Sequence, residues 1–262
     1  MKHPCYMPAQ WGGATDTVAT LTKPDNVFAY TTLSCADAEP RGFSKGCYDS
    51  FNLAAHVGDD QTAVAANRKK LSTELRLPAE PVWLDQVHSN KVVRADLVTP
   101  AEIPQADASV TSSQGVVCAV LTADCLPVFF CNKQGTEVAV AHAGWRGLHA
   151  GILSATLAKM RSHAEDVLVS LGPAIGPEAF EVGREVYDAF ASKNSANSQA
   201  FTTTDDTHYL CDIYQLARIE LSASGVKSIA GGNHCSFSEA SLFYSYRREN
   251  STGRMASLIW LG

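Results

Sequence analysis

VVCAVLTADCLPVFFCNKQGTEVAVAHAGWRG, residues 116–147, holds two apolar segments of strand length and runs into what reads as a helix. Residues 116–122 are continuously apolar, as expected of a strand covered on both faces. Residues 136–142 alternate, placing Val138, Val140 and His142 on one side. A helix is expected over 148–161, with Leu153, Leu157 and Met160 on one face. Outward from this stretch the alternation of helix and strand continues. Residues 61–77 place Val64, Leu71 and Leu75 on one helical face behind a cap at Asp60, and residues 82–87 read as a short strand. Val182, Val186 and Phe190 mark another helix at spacing four, Asp212 caps a further one through Leu216 and Ile219, and RMASLIWL closes on a strand. Residues 192–207, rich in Ser, Asn and Thr, read as a long surface loop. The class is mixed α/β, and no linker or repeat divides the chain, so residues 1–262 are expected to form one domain.

Composition narrows the function. With 45% hydrophobic and 18% charged residues the chain has material for a core. A net charge of −6 argues against a general nucleic-acid binder, which would carry a basic face, but leaves room for small anionic substrates held by a few arginines in a cleft. The longest apolar run, Val116–Cys131, is broken by Asp124 and Pro127 and falls short of the ~20 residues a spanning helix needs. No secretory h-region is evident near the start, so a soluble, cytoplasmic protein is expected. The eight cysteines contain no C-x-x-C pair and are expected to be free thiols. Without a heptad or an apolar stripe, a monomer is expected.

Chemistry concentrates in three segments: Trp83–His88, Leu121–Pro127 and Ala141–Gly147. Each carries an apolar stretch into a metal-binding type of side chain, His88, Cys125 or His142. Intervals of 36 and 16 residues between them suit neighbouring strands, not a local finger. Two imidazoles and a thiolate fill three tetrahedral positions of zinc and leave a fourth for water, the pattern of a catalytic site. Copper is the alternative ion. Gly144 and Gly147 flank Arg146 at a helix entry, a seat for an anion. No Walker, G-x-G-x-x-G, G-x-S-x-G or H-E-x-x-H motif is present.

QVH at 86–88, ADASVT at 106–111, TADCLPVFF at 122–130 and AVAHAGWRG at 139–147 together resemble the YfiH or laccase-domain family. NLAAHVGD at 52–59, LGPAIG at 171–176, FYSYRR at 243–248 and TGR at 252–254 extend the likeness over nearly the whole chain. The resemblance implies a four-layer α/β/β/α sandwich of mixed sheets and a metal triad on His88, Cys125 and His142. It implies purine nucleoside phosphorylase activity on adenosine, inosine and methylthioadenosine, and hydrolytic deamination of adenosine. Purine nucleosides and phosphate are then the partners, with no nucleic acid and no membrane. One departure stands out: Leu33 replaces an arginine common in the family, and Arg41 is the nearby cation that would substitute.

Zinc lowers the pKa of bound water towards about 7, which suits hydrolysis at C6 of adenine. Asp124 is the candidate for moving protons beside the catalytic Cys125 and His142; holding the turn that presents Cys125 is its alternative. Phosphate needs cationic partners, for which Arg146 and Arg247 are candidates and Arg254 a further one. Asn52 and His56 bind substrate or belong to a core network. Trp145 is the tryptophan best placed to line a pocket. Three other readings use the same residues: a copper-dependent phenol oxidase, a cysteine hydrolase with Cys125 as nucleophile, and a binding module for nucleotides or cell-wall precursors without turnover.

Overall fold

A computed structural model describes residues 5–12, 22–35, 41–99 and 102–262. The strands in chain order are β1 (Tyr6–Pro8), β2 (Val27–Thr32), β3 (Val92–Arg94), β4 (Ala108–Thr111), β5 (Cys118–Thr122), β6 (Leu126–Asn132) and β7 (Val138–Ala143). They continue as β8 (Val167–Leu171), β9 (Glu181–Gly183), β10 (Phe201–Thr203), β11 (His208–Cys211), β12 (Ser228–Gly231) and β13 (Met255–Leu261). The helices are α1 (Gln61–Glu74), α2 (Trp145–Ala150), α3 (Ile152–Lys159), α4 (Arg184–Lys193) and α5 (Ile213–Ala223).

Two large sheets form the body: β1-β2-β13-β5, all antiparallel, and the mixed sheet β12-β8-β6-β7-β4-β3. The side-chain period of two sorts each strand between two cores. In β7, Val138 and Val140 face the other sheet, while Ala139, Ala141 and Ala143 face the helices. In β6, Phe129 and Cys131 point inward between the sheets and Val128 and Phe130 outward. The four-stranded sheet meets them with Val27, Ala29, Cys118, Val120, Ile259 and Leu261. Its other face packs Leu121, Leu258 and Trp260 with Leu71 of α1, while α3 and α5 cover the six-stranded sheet through Leu153, Leu157, Leu216 and Leu221. The layers therefore run α/β/β/α, and β5, β6, β7 and β13 are buried along their whole length because both faces are covered.

The caps are where the sequence places them. Asp60 accepts from the amides of Thr62 and Ala63, and Asp212 from that of Gln215. Four expectations need correction. The helix expected over 148–161 is two helices, α2 and α3, because Gly151 between them takes a left-handed φ of 85°. Residues 82–87 make only isolated bridges at Val82 and Asp85. Residues 192–207 are not one loop: 3-10 turns at Ser195–Ala200 lead into β10, which pairs with β11. Val182 belongs to β9, so the helix through Val186 and Phe190 begins only at Arg184. The cysteines are not all free either. Pairing of β1 with β2 brings the Cys5 and Cys35 Cα atoms to 5.4 Å, and the two are disulfide-bonded.

Candidate metal centre

Three chain segments converge at one end of the stacked sheets: the turn between β5 and β6, the last residues of β7, and the loop after Asp85. The register of β6 against β7 pairs Leu126 with Ala143, so Cys125 and Gly144 lie side by side just beyond the hairpin. His142 is buried on β7, Cys125 is half-buried in the turn, and His88 is presented from the loop with a left-handed φ of 59°. Their ligand atoms all lie within 4.8 Å of one another. Cys125 Sγ is 3.8 Å from His88 Nε2, and the two imidazole rings meet edge-on at 4.8 Å.

The donor set suits a borderline-soft cation. His142 Nδ1 lies 2.9 Å from the buried Asp107 carboxylate, which leaves Nε2 for a ligand. Burial pushes the Cys125 thiol up, but the His142 charge and hydrogen bonds from both histidines outweigh it and hold the thiol below its ordinary value. Burial pushes His142 down, and Cys125 with Asp107 reverses this. Asp107 resists its own burial through His142 and Ser89 and falls to about 2. The thiolate form, the one that binds metal, is thus favoured near neutrality. Space is provided too: a Cβ on Gly144 would sit 2.8 Å from Cys125 Sγ and 2.9 Å from His88 Cδ2. The residues present therefore fit a metal ion.

The cluster lies in a cavity of about 510 Å³. Of the sequence candidates, His56, Asp124, Trp145, Arg146, Arg247 and Arg254 line it with the triad. Arg146 stacks on Trp145 at 4.4 Å, and Arg247 donates to the Glu181 carbonyl at 3.0 Å. Arg254 donates to the carbonyls of Thr252 and Gly253, and desolvation lowers its pKa. Among the described residues none of these three arginines forms an ion pair with a carboxylate. Desolvation and the Arg254 charge also keep His56 below its ordinary value. The cavity thus gathers three arginines that form no carboxylate ion pair among the described residues, in a chain of net charge −6.

Two candidates stand apart from that lining. Asn52 is fully buried, donates to the Ala54 carbonyl and Asp59, and accepts from the amides of Ala54 and Arg254. It belongs to a core network and reaches the cavity only by holding the Arg254 backbone. Arg41 pairs with Asp49 and is not among the residues lining the cavity. Asp124, at φ 86°, accepts from the Ser236 hydroxyl at 2.6 Å and the Arg247 amide at 2.7 Å, bonds of the kind its turn-holding role requires. The anion seat expected from Gly144, Arg146 and Gly147 lies at the entry of α2. That helix is six residues long, and its capping Gly144 makes room for Cys125 and His88.

Sequence reasoning missed Asp107, Gln86, Phe180 and Tyr246. Gln86 bonds both backbone groups of Leu121 and so pins the 86–88 segment to β5. Phe180 and Tyr246 bring aromatic surface to the cavity. Asp107 lies inside ADASVT, where an acid entering an apolar strand was the available signal.

Fold and site together define a layered α/β protein with a candidate His–Cys–His metal centre in an arginine-lined cavity. Residues 35–262 match the model of the family described as multi-copper polyphenol oxidoreductase laccase, and the chain belongs to that family. The purine nucleoside phosphorylase YfiH of Escherichia coli is 51% identical over 228 residues, covering 87% of this chain and 93% of that one. The purine nucleoside phosphorylase PA4543 of Pseudomonas aeruginosa is 50% identical over 229 residues, covering 87% and 93%. Among solved structures, the Neisseria meningitidis protein NMB0706 superposes with a TM-score of 0.88 at 43% identity over 98% of each chain. YlmD of Geobacillus stearothermophilus gives 0.82 at 32% identity, over 90% of this chain and 92% of that one. Among the described residues no helix is long and apolar enough to cross a membrane.

Proposed function

We propose that this protein is a zinc-dependent purine nucleoside enzyme. It would cleave adenosine, inosine and methylthioadenosine with phosphate, and deaminate adenosine hydrolytically to inosine. The observation that carries the reading is the His88–Cys125–His142 cluster within a cavity whose arginines form no carboxylate ion pair among the described residues. The names of the relatives in E. coli and P. aeruginosa support the nucleoside and phosphate part. His88, Cys125 and His142 would hold the ion, which when bound supplies Lewis acidity and a water acidified towards about 7.

In phosphorolysis, a phosphate oxygen bonds to the anomeric carbon as the C–N bond breaks and the electron pair leaves with the base. Arg146, Arg247 and Arg254 neutralise the nucleophile and hold it near the sugar. Trp145 and Tyr246 offer faces for the purine. The test is metal analysis of protein purified without an affinity tag, beside adenosine turnover with and without phosphate. About one zinc per chain, adenine only when phosphate is present, and inosine in either case are expected. Metal-free protein without turnover would overturn the reading. In that event stoichiometric iodoacetamide labelling of Cys125 would favour the thiol nucleophile.

Arg247 allows a narrower prediction. Its amide bond to Asp124 is backbone, so Arg247→Ala leaves that bond in place and removes only the guanidinium. The phosphate KM is expected to rise about tenfold or more, the scale of a charge-assisted hydrogen bond, with a smaller change for nucleoside. Steady-state kinetics with phosphate varied checks this, and an unchanged phosphate KM removes Arg247 from the phosphate site.

A further inference from the structure

We propose that Asp107 is the positioning residue of the metal centre, a single carboxylate that sets both the ring of His142 and the backbone presenting His88. The inference rests on the metal reading above and adds a residue to it. Asp107 is fully buried, immediately before β4. Its Oδ1 accepts from His142 Nδ1 at 2.9 Å and from the His88 amide at 2.9 Å. Its Oδ2 accepts from the Ser89 amide at 2.6 Å, the Ser89 hydroxyl at 2.7 Å and the Val87 amide at 3.4 Å. Three consecutive amides therefore converge on one carboxylate. Among the described residues those amides have no other acceptor.

The convergence matters because His88 has a left-handed φ of 59°, a region that residues with a Cβ avoid. Its side chain cannot hold that turn, since the ring's polar contact is Cys125 Sγ at 3.8 Å. The main chain of Asp107 completes the link: its carbonyl accepts from the His142 amide at 2.7 Å, and its own amide donates to the Lys91 carbonyl at 3.0 Å. One residue thus fixes the relative placement of two ligands that come from different parts of the chain. At His142 it also selects the tautomer that leaves Nε2 free and makes the ring a stronger donor.

The test uses the full chain as wild type, Asp107→Asn and Ser89→Ala. Asparagine keeps the size but turns an NH2 group towards donors on one side or the other, so either the bonds from the Val87 and Ser89 amides or those from His142 and the His88 amide are lost. Zinc affinity is measured by competition with a chromophoric chelator, and the site's geometry by the absorption spectrum of the cobalt-loaded protein. Asp107→Asn is expected to bind zinc about 10–100-fold more weakly, the range for a lost partner of a ligating histidine. Its cobalt ligand-field bands should shift while the thiolate-to-cobalt band remains, since Asp107 does not touch Cys125. Ser89→Ala removes one of the bonds on Oδ2 and should weaken binding about two- to fivefold. A carboxylate that merely stabilises the loop would lower the melting temperature and leave affinity and spectrum alone. Equal affinity and spectrum in Asp107→Asn and wild type would overturn the inference and leave the metal reading standing. Wild type that takes up neither ion would overturn both. Should Asp107→Asn fail to fold, Ser89→Ala decides, and wild-type affinity there overturns the proposal.

Discussion

Cys125→Ala is expected to fold, to lose its metal and to lose adenosine deamination. Disturbing a partner of a ligating histidine costs about 10–100-fold in affinity, so deleting the thiolate itself should exceed that range. The substitution is nearly silent for stability, because the polar contacts of Sγ are the two ligand imidazoles of His88 and His142 and the turn is held by other groups. Asp124 accepts from Ser236 and from the Arg247 amide, and the Asp124 carbonyl accepts from the Ile175 amide at 2.9 Å. His142→Ala should abolish metal binding equally but destabilise the fold as well. It strips the buried Asp107 of one donor, at a cost of about 1–3 kcal/mol. Metal analysis, circular dichroism and inosine formation are the measurements. Full deamination in either variant would sink the metal reading.

Gly144→Ala is the second large effect, and it separates space from chemistry because no ligand is altered. The backbone at Gly144, φ −66° and ψ 163°, is ordinary for alanine, so conformation is not the obstacle. The added methyl is: it would lie 2.8 Å from Cys125 Sγ, 2.9 Å from His88 Cδ2 and 3.6 Å from His88 Nε2. One of those side chains must swing aside, and the three ligand atoms then no longer share a centre. Zinc affinity is expected to fall about 100-fold or more, beyond the effect of a lost ligand partner. The helix cap should change stability by only about 1 kcal/mol. Chelator competition together with a melting curve checks both halves. Unchanged zinc affinity would mean that the ligands do not converge beside Gly144.

The sequence made the ligands legible because each stands where an apolar run stops, and the caps at Asp60 and Asp212 because an N-cap is a local signal. What it concealed is non-local. The break at Gly151 was hidden because apolar residues at helical spacing continue on both sides of it. Residues 192–207 have loop composition, yet β11 supplies the partner that makes a strand of Phe201–Thr203. Asn52 looked like a binding residue because a polar side chain in an apolar stretch needs partners, and those partners proved to be Ala54, Asp59 and Arg254. Asp107 escaped notice because its role depends on His142 and on the 87–89 amides, which only the fold brings to it. The cysteine pair Cys5–Cys35 likewise depends on strand pairing.

The place of β13 between β2 and β5 sets an order on assembly. The strand that leads into Cys125 finds its ladder partner only when the chain reaches Met255, paired with Thr122. Pairings so distant in sequence slow the search for the native state. β5 precedes its ladder partner by about half the chain, while β6 and β7 follow one another directly. The hairpin that carries Cys125 and His142 is thus a local pairing, while the sheet stacked on it closes through contacts that span about half the chain.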